Sequence, residues 1–133
     1  MAKPEEGRSR LEKELMQGES GEGALLEREH LLQSVFNQSP VALIVTRLAD
    51  SRVVDVNESF VESSGFEKAE VLGRTIKELQ VWESQADRDS VLERLTQDRH
   101  VRDLEFRFRM KDGSLRTFLL SANIVRINGE EHI

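Results

Sequence analysis

Two short stretches at the centre of the chain have apolar residues at helical spacing, and each stretch ends at a glycine. Asn57 is a good N-cap because its side-chain oxygen can accept a hydrogen bond from an amide of the first turn. Gly65 suits the left-handed position that ends a helix, and Phe66 begins a second apolar face that ends at Gly73. Helices this short are unstable alone in water, so the pattern predicts that they pack against a sheet.

The segments before these helices predict two strands joined in a hairpin. VALIVT at 41–46 is almost wholly apolar, which is typical of a strand covered on both faces. Turn residues follow at 48–51, and VVDV at 53–56 predicts the second strand.

The last third of the chain predicts two longer strands and the start of another. Apolar and charged residues alternate strictly over 104–111, which is typical of a half-buried antiparallel strand. A turn is expected at 111–113, and alternation resumes over 116–127. Asn128-Gly129 is a strong hairpin signal and predicts a further strand that begins at 130–133.

Capping residues predict two further helices between the two hairpins. Thr75 and Glu78 have the spacing of a capping box, which predicts a short turn with Ile76 and Leu79 directed inward. A longer helix is expected over 85–98, and its buried face consists of Val91, Leu92 and Leu95.

The start of the chain is polar. Glycines interrupt residues 1–23, so we interpret this segment as a disordered linker. A helix is predicted over 24–36, and its apolar stripe consists of Leu25, Leu32, Val35 and Phe36. The spacing from Leu25 to Leu32 is a single heptad, which leaves open whether the helix flanks a core or joins two chains in a dimer.

Composition excludes several classes of function. With 133 residues, 38% hydrophobic and 33% charged, the chain suits one soluble domain with a modest core. No apolar run approaches the roughly 20 residues of a membrane span, and no secretion signal is visible, so we expect a cytoplasmic location and no membrane contact. The net charge of −6 disfavours binding of nucleic acid. The absence of cysteine excludes disulfides, thiolate nucleophiles and cysteine–cofactor adducts.

The order of these elements resembles that of a PAS domain, a sensory module of bacterial signalling proteins. The motifs that carry the resemblance are NESF at 57–60 with Gly65-Phe66, AEVLG at 69–73, MKDGS at 110–114 and ANIVRINGE at 122–130. The resemblance implies an α+β fold over 37–133, with a five-stranded antiparallel sheet, short helices over one face and an N-terminal flanking helix. In this fold the last strand lies beside the first. Only 130–133 of that strand are present, so we expect a fragment truncated in its last strand.

The resemblance also implies a cavity between the sheet and the helices. The residues expected to line it are mostly apolar, namely Val54, Phe60, Ile76, Leu79, Phe106, Phe108, Phe118, Leu120 and Ala122. Such side chains either fill a core without any ligand or surround a pocket for a small apolar or amphipathic molecule. The residues leave both alternatives open.

Comparison with the blue-light PAS subfamily disfavours a flavin. GRTIKELQ at 73–80 falls where that subfamily has G-R-N-C-R-F-L-Q, and Ile76 replaces the reactive cysteine, which excludes a cysteinyl–flavin adduct. Phe108 and Phe118 replace asparagines that hydrogen-bond the flavin, so the polar edge of the ring would be buried without partners. Haem is disfavoured because His100 lies beyond the expected end of the longer helix, and no histidine spacing suggests a metal site.

No nucleophile–base arrangement is visible, so the chain is not expected to be an enzyme. We expect a sensory or interaction domain of a multidomain signal-transduction protein, such as a two-component system. The resemblance implies a homodimer through the N-terminal helix and the sheet, and an attached output domain such as a histidine kinase or a diguanylate cyclase. Two alternatives remain, a ligand-free dimerisation and spacer module, and a domain of a transcription regulator.

Overall fold

The computed structural model describes residues 19–133, which belong to two compact units divided after Gln38. The described part of the first unit is one helix, α1, Glu19–Gln38. This helix begins inside the predicted linker and contains Gly21 and Gly23. The helix can include them because a glycine inside a helix costs only about 0.5–1 kcal/mol relative to alanine. Residues 1–18 of the predicted linker lie outside the described residues.

The apolar stripe predicted on this helix is exposed over most of its length. Leu25, Leu32 and Val35 are exposed, whereas Phe36 is half-buried. Most of the predicted stripe therefore lies at the surface of this helix. Within residues 19–133, no helix combines the length and the apolar character needed to cross a bilayer.

The second unit follows the predicted order of elements. Its helices and strands are β1 Ile44–Thr46, β2 Val53–Val56, α2 Glu58–Ser64, α3 Lys68–Val71, α4 Ile76–Leu79, α5 Gln85–Asp98, β3 His100–Arg109, β4 Leu115–Asn123, β5 Val125–Ile127 and β6 Glu130–His132. The strand predicted over 116–127 is divided at Ile124 into β4 and β5.

The strands form antiparallel pairs that hydrogen bonds connect further. β1 pairs with β2, β3 with β4, and β5 with β6. Thr46 and Ile133 exchange two backbone hydrogen bonds of 2.9 and 2.8 Å, and Leu48 N–H donates to the Glu131 carbonyl at 3.0 Å. The last strand therefore lies beside the first, as the resemblance implied.

The prediction of a strand over 41–46 covered on both faces was wrong in its first half. Strand β1 begins only at Ile44, and Val41 and Leu43 are exposed. The cause is Asn57, whose side chain donates to the Val41 carbonyl and accepts from Leu43 N–H, both at 2.9 Å. The Val41 carbonyl and the Leu43 N–H thus pair with a side chain instead of a neighbouring strand, while the Leu43 carbonyl accepts from the Asn57 backbone N–H at 3.1 Å.

Caps define the short helices largely as predicted. Asn57 accepts from Phe60 N–H at 3.0 Å, and Gly65 adopts a left-handed φ of 82° at the end of α2. Thr75 accepts from Glu78 N–H at 3.1 Å at the start of α4. A complete capping box lies at α3, between Glu67 and Glu70, where the sequence analysis did not expect one.

The apolar interior of the second unit consists of two clusters. The first lies between α5 and the β3–β4 hairpin, and its buried members are Val91, Leu95, Val101 and Ile124. The second lies between the β1–β2 hairpin and the short helices, and its buried members are Val53, Val56 and Val71. We call them the hairpin cluster and the short-helix cluster.

Candidate ligand site between the sheet and the short helices

The segment Gly73–Glu83, which contains α4, is tethered to a strand at each of its ends. At β2, Val53 N–H donates to the Arg74 carbonyl at 2.8 Å, and Gly73 N–H donates to the Val53 carbonyl at 2.9 Å. At β3, Arg109 N–H donates to the Val81 carbonyl at 2.7 Å. We call Gly73–Glu83 the crossing segment, because it runs from β2, in one hairpin, to β3, in the other.

The β3 end of the crossing segment carries a side chain into an aromatic cluster. The Trp82 ring contacts the edges of Phe106 and Phe108, with centroids 5.3 and 4.7 Å away. The Phe108 ring lies 6.0 Å from that of Phe118. All four rings are half-buried, so they form an aromatic surface shared by β3, β4 and the crossing segment. Trp82 is not among the residues predicted to line the site.

A β-bulge in β3 sets which side chains reach the interior. Between Val101, opposite Ala122, and Leu104, opposite Leu120, two residues of β3 face the single residue Ser121. Residues three apart on a regular strand point to opposite faces, so the bulge lets Val101 and Leu104 both pack in the hairpin cluster. The strand predicted to begin at Leu104 therefore begins earlier, at His100, and includes Val101.

The predicted site residues are divided between the two clusters. Those that pack in the short-helix cluster are Phe60, Ile76 and Leu79, and those in the hairpin cluster are Phe106, Leu120 and Ala122. Phe108 and Phe118 complete the aromatic surface.

Val54 is the predicted site residue that the structure places elsewhere. The β1–β2 register pairs Val45 with Asp55 and Thr46 with Val53, which leaves Val54 as the extra residue of a bulge. Its side chain is 45% exposed, whereas those of Val53 and Val56 are 3% and 1% exposed. The interior position therefore belongs to Val53 and Val56.

Polar side chains in the interior are already hydrogen-bonded. Asn57, which is 1% exposed, bonds the backbone of Val41, Leu43 and Phe60. Ser64 accepts from Phe66 N–H at 3.2 Å. Over residues 19–133, no buried side-chain nitrogen or oxygen lacks a hydrogen-bond partner. A molecule in this interior would therefore be held mainly by apolar and aromatic contact.

The residues considered for cofactors lie as follows. Ile76 packs in the short-helix cluster, and Phe108 and Phe118 have no polar side-chain atom to offer a flavin. Helix α5 ends at Asp98, and His100 is the exposed first residue of β3, so His100 lies outside the helix as predicted. No group of three acidic or histidine side chains within the described residues is placed to hold a metal ion.

A groove of about 460 Å³ lies at α3 and α4. It is lined by Phe66, Ala69, Glu70, Leu72, Arg74, Glu78 and Leu79. The Lys111 ammonium, 2.5 Å from Glu70, lowers the pKa of that carboxyl, helped by a hydrogen bond from Glu67 N–H. The Arg74 guanidinium, 2.8 Å from Glu78, likewise lowers the pKa of Glu78.

Known proteins share this fold. The chain is 26% identical to the PAS domain of an HTR-like protein from Haloarcula marismortui, with 84% of this chain and 90% of that chain covered and a TM-score of 0.70. A PAS domain from a two-component sensor histidine kinase is 14% identical, with coverages of 82% and 92% and a TM-score of 0.69. An RNA-binding Light-Oxygen-Voltage receptor is 23% identical, with coverages of 78% and 31% and a TM-score of 0.65.

Sequence comparison leads to the same family. No curated protein is significantly similar to the chain. A family model described as PAS fold, however, matches residues 26–133, which include every strand and helix of the second unit. The predicted resemblance and the predicted α+β fold are therefore confirmed, and the chain belongs to the PAS-fold family.

Proposed function

We propose that this chain is the sensory or interaction domain of a multidomain signal-transduction protein. A small apolar or amphipathic molecule, or a partner, binds one of two conformations more tightly and shifts their balance. The aromatic surface of Trp82, Phe106, Phe108 and Phe118 carries this proposal, because its rings are only half-buried and adjoin the hairpin cluster. A ring of a ligand can pack on such a surface and gain the attraction of aromatic pairs.

The ligand we propose is apolar and is neither a flavin nor haem. The buried polar side chains already have partners, so a flavin ring would find no free hydrogen-bonding group beside Phe108 and Phe118. Ile76 cannot form the covalent adduct of the blue-light subfamily, because it has no thiol. Haem-binding relatives would need a histidine on the helix that corresponds to α5, whereas His100 is exposed and lies outside α5.

Asn57 supplies a path from the short helices toward α1. Its side chain ties the backbone of Val41 and Leu43, which follow α1 in sequence, to the start of α2. A second tie is the hydrogen bond from the Ser59 hydroxyl to the Ser39 carbonyl. A shift of α2 would therefore move the segment that leaves α1.

The proposed assembly is a homodimer through α1 and the sheet. The exposed leucines of α1 and Val35 suit a helix interface between two copies. The sheet contributes exposed apolar residues at Leu119, Val125 and Ile127. A change in the packing of the two helices would then reach an attached output domain, for which a histidine kinase or a diguanylate cyclase is our proposal by family analogy.

Native mass spectrometry of the purified protein tests the sensing function. We expect a stoichiometric small molecule in the wild-type protein and its loss in Phe118→Ala, which removes part of the aromatic surface. The matched control is Thr117→Ala, since Thr117 is the preceding residue of the same strand and is exposed. Equal retention by both variants, or no bound molecule in a folded wild-type protein, would contradict the proposal.

A ligand-free dimerisation and spacer module is the second candidate. The observation that favours it is the packing of Phe60, Ile76, Leu79 and other predicted site residues within the two clusters. Native mass spectrometry separates the two candidates: a stable dimer whose mass is that of two protein chains alone supports the spacer.

A further inference from the structure

The groove at α3 and α4 has an apolar side and a charged side. Its volume of about 460 Å³ falls within the range of small-molecule pockets, roughly 300–1,000 Å³. Its apolar side is formed by Phe66, Ala69, Leu72 and Leu79, and Leu72 is an exposed large apolar side chain. Its polar side is formed by Glu70, Arg74 and Glu78.

The groove has one cation with free donors beside a carboxylate. Arg74 uses only its Nε in the hydrogen bond to Glu78, and a guanidinium has five N–H donors, so its Nη groups can still donate. Glu78 is bonded by Arg74 and Thr75, and Glu70 by Lys111 and Glu67 N–H. A carboxylate has about four acceptor positions, so both glutamates can accept a further bond, but Glu78 is the one beside the free donors of Arg74.

The order of these charges selects the ligand. A simple anion on Arg74 would also face the Glu78 carboxylate, and a simple cation on Glu78 would face the Arg74 guanidinium. A molecule with both charges a few ångströms apart meets both side chains favourably. An apolar substituent on that molecule would cover the exposed side of Leu72 and remove it from water.

We propose that the groove binds a small zwitterion with an apolar substituent, of the class of free apolar α-amino acids. The ligand carboxylate accepts hydrogen bonds from the Nη groups of Arg74, and the ligand ammonium donates to the Glu78 carboxylate. The apolar substituent lies on Phe66, Leu72 and Leu79. This site is separate from the aromatic surface and does not depend on the function proposed above.

Isothermal titration calorimetry with L-leucine tests the ligand class. Three comparison ligands each lack one feature: leucinamide lacks the carboxylate, 4-methylpentanoate lacks the ammonium, and glycine lacks the apolar substituent. We expect leucinamide and 4-methylpentanoate to bind at least about ten-fold more weakly than leucine, since a lost charge-assisted hydrogen bond is worth about 1.5–3 kcal/mol, and glycine to bind more weakly because it buries no apolar side chain. Equal affinity for leucinamide or 4-methylpentanoate, or no binding of apolar amino acids at millimolar concentration, would overturn the proposal.

Variants place the site on the structure. Arg74→Gln and Glu78→Gln should each weaken leucine binding at least about ten-fold, because each removes one charge partner. Glu93→Gln and Arg94→Gln are matched controls on the exposed face of α5 and should bind like the wild type. Circular dichroism verifies folding, and Leu72→Ala, which keeps both charges, should also weaken binding. Unchanged affinity in Arg74→Gln and Glu78→Gln would overturn this location.

Discussion

Replacing Asn57 by alanine should destabilise the domain more than the loss of an ordinary helix cap. The side chain is 1% exposed and makes hydrogen bonds of 2.9, 2.9 and 3.0 Å with Leu43 N–H, the Val41 carbonyl and Phe60 N–H. The variant therefore loses the cap of α2 and also the two bonds that hold the segment before β1.

The magnitude follows from these contacts. Each hydrogen bond contributes about 0.5–1.5 kcal/mol net, so the three in Asn57→Ala amount to roughly 2–4 kcal/mol. For a domain of about 60–100 residues, 1 kcal/mol lowers the midpoint of thermal unfolding by roughly 4–8 °C. We thus expect a midpoint roughly 8–32 °C below that of the wild type.

Thermal and urea unfolding can be followed by the fluorescence of Trp82, the one tryptophan of the chain. The matched control is Thr75→Ala, which removes a single cap bond of 3.1 Å at α4 and should cost about 1 kcal/mol. If Asn57→Ala lost no more stability than Thr75→Ala, the hydrogen bonds between the segment before β1 and the start of α2 would contribute nothing to stability. The proposal that a shift of α2 moves the segment that leaves α1 would then be refuted.

Three further predictions concern charge, packing and assembly. Lys111→Met should raise the pKa of Glu70 toward its ordinary value of 4.5, as measured by NMR titration. Because the folded-state pKa is lowered, the stabilisation from this pair is fully present above pH 4.5 and is lost as the pH falls through the folded-state pKa. An unchanged titration of Glu70 would contradict the ion pair. Val53→Ala should cost roughly 1–3 kcal/mol in urea unfolding, whereas Val54→Ala should change stability by less than about 0.5 kcal/mol, and equal losses would contradict the bulge in β2. Leu32→Glu should shift the protein from dimer to monomer in sedimentation equilibrium; a persistent dimer would contradict the role of α1.

Local signals in the sequence predicted much of this fold correctly. The caps Asn57 and Gly65 act through neighbouring backbone groups, so residue type alone indicates where α2 begins and ends. Helix α5 runs over Gln85–Asp98 as predicted, because its apolar spacing is regular. Strict alternation likewise identified the face of β4 that carries Phe118, Leu120 and Ala122.

The errors arise where a distant contact overrides the local pattern. The bulge at Val54 depends on the register with β1, which the residues of β2 do not reveal. The apolar segment 41–46 forms a strand only from Ile44, because Asn57 takes the earlier backbone groups. The division of the site residues between two clusters depends on how the hairpins and helices pack, so the pattern alone could not predict it.

The crossing segment also bears on aggregation. An unpaired strand edge is a template on which the strand of another molecule can add. Here the backbone groups of Val53 in β2 and of Arg107 and Arg109 in β3 are already bonded by the two ends of one segment, and the bulge interrupts the rest of β3. At these positions a neighbouring chain finds no free ladder to extend, so addition of a strand to the parts of β2 and β3 that the crossing segment covers is disfavoured.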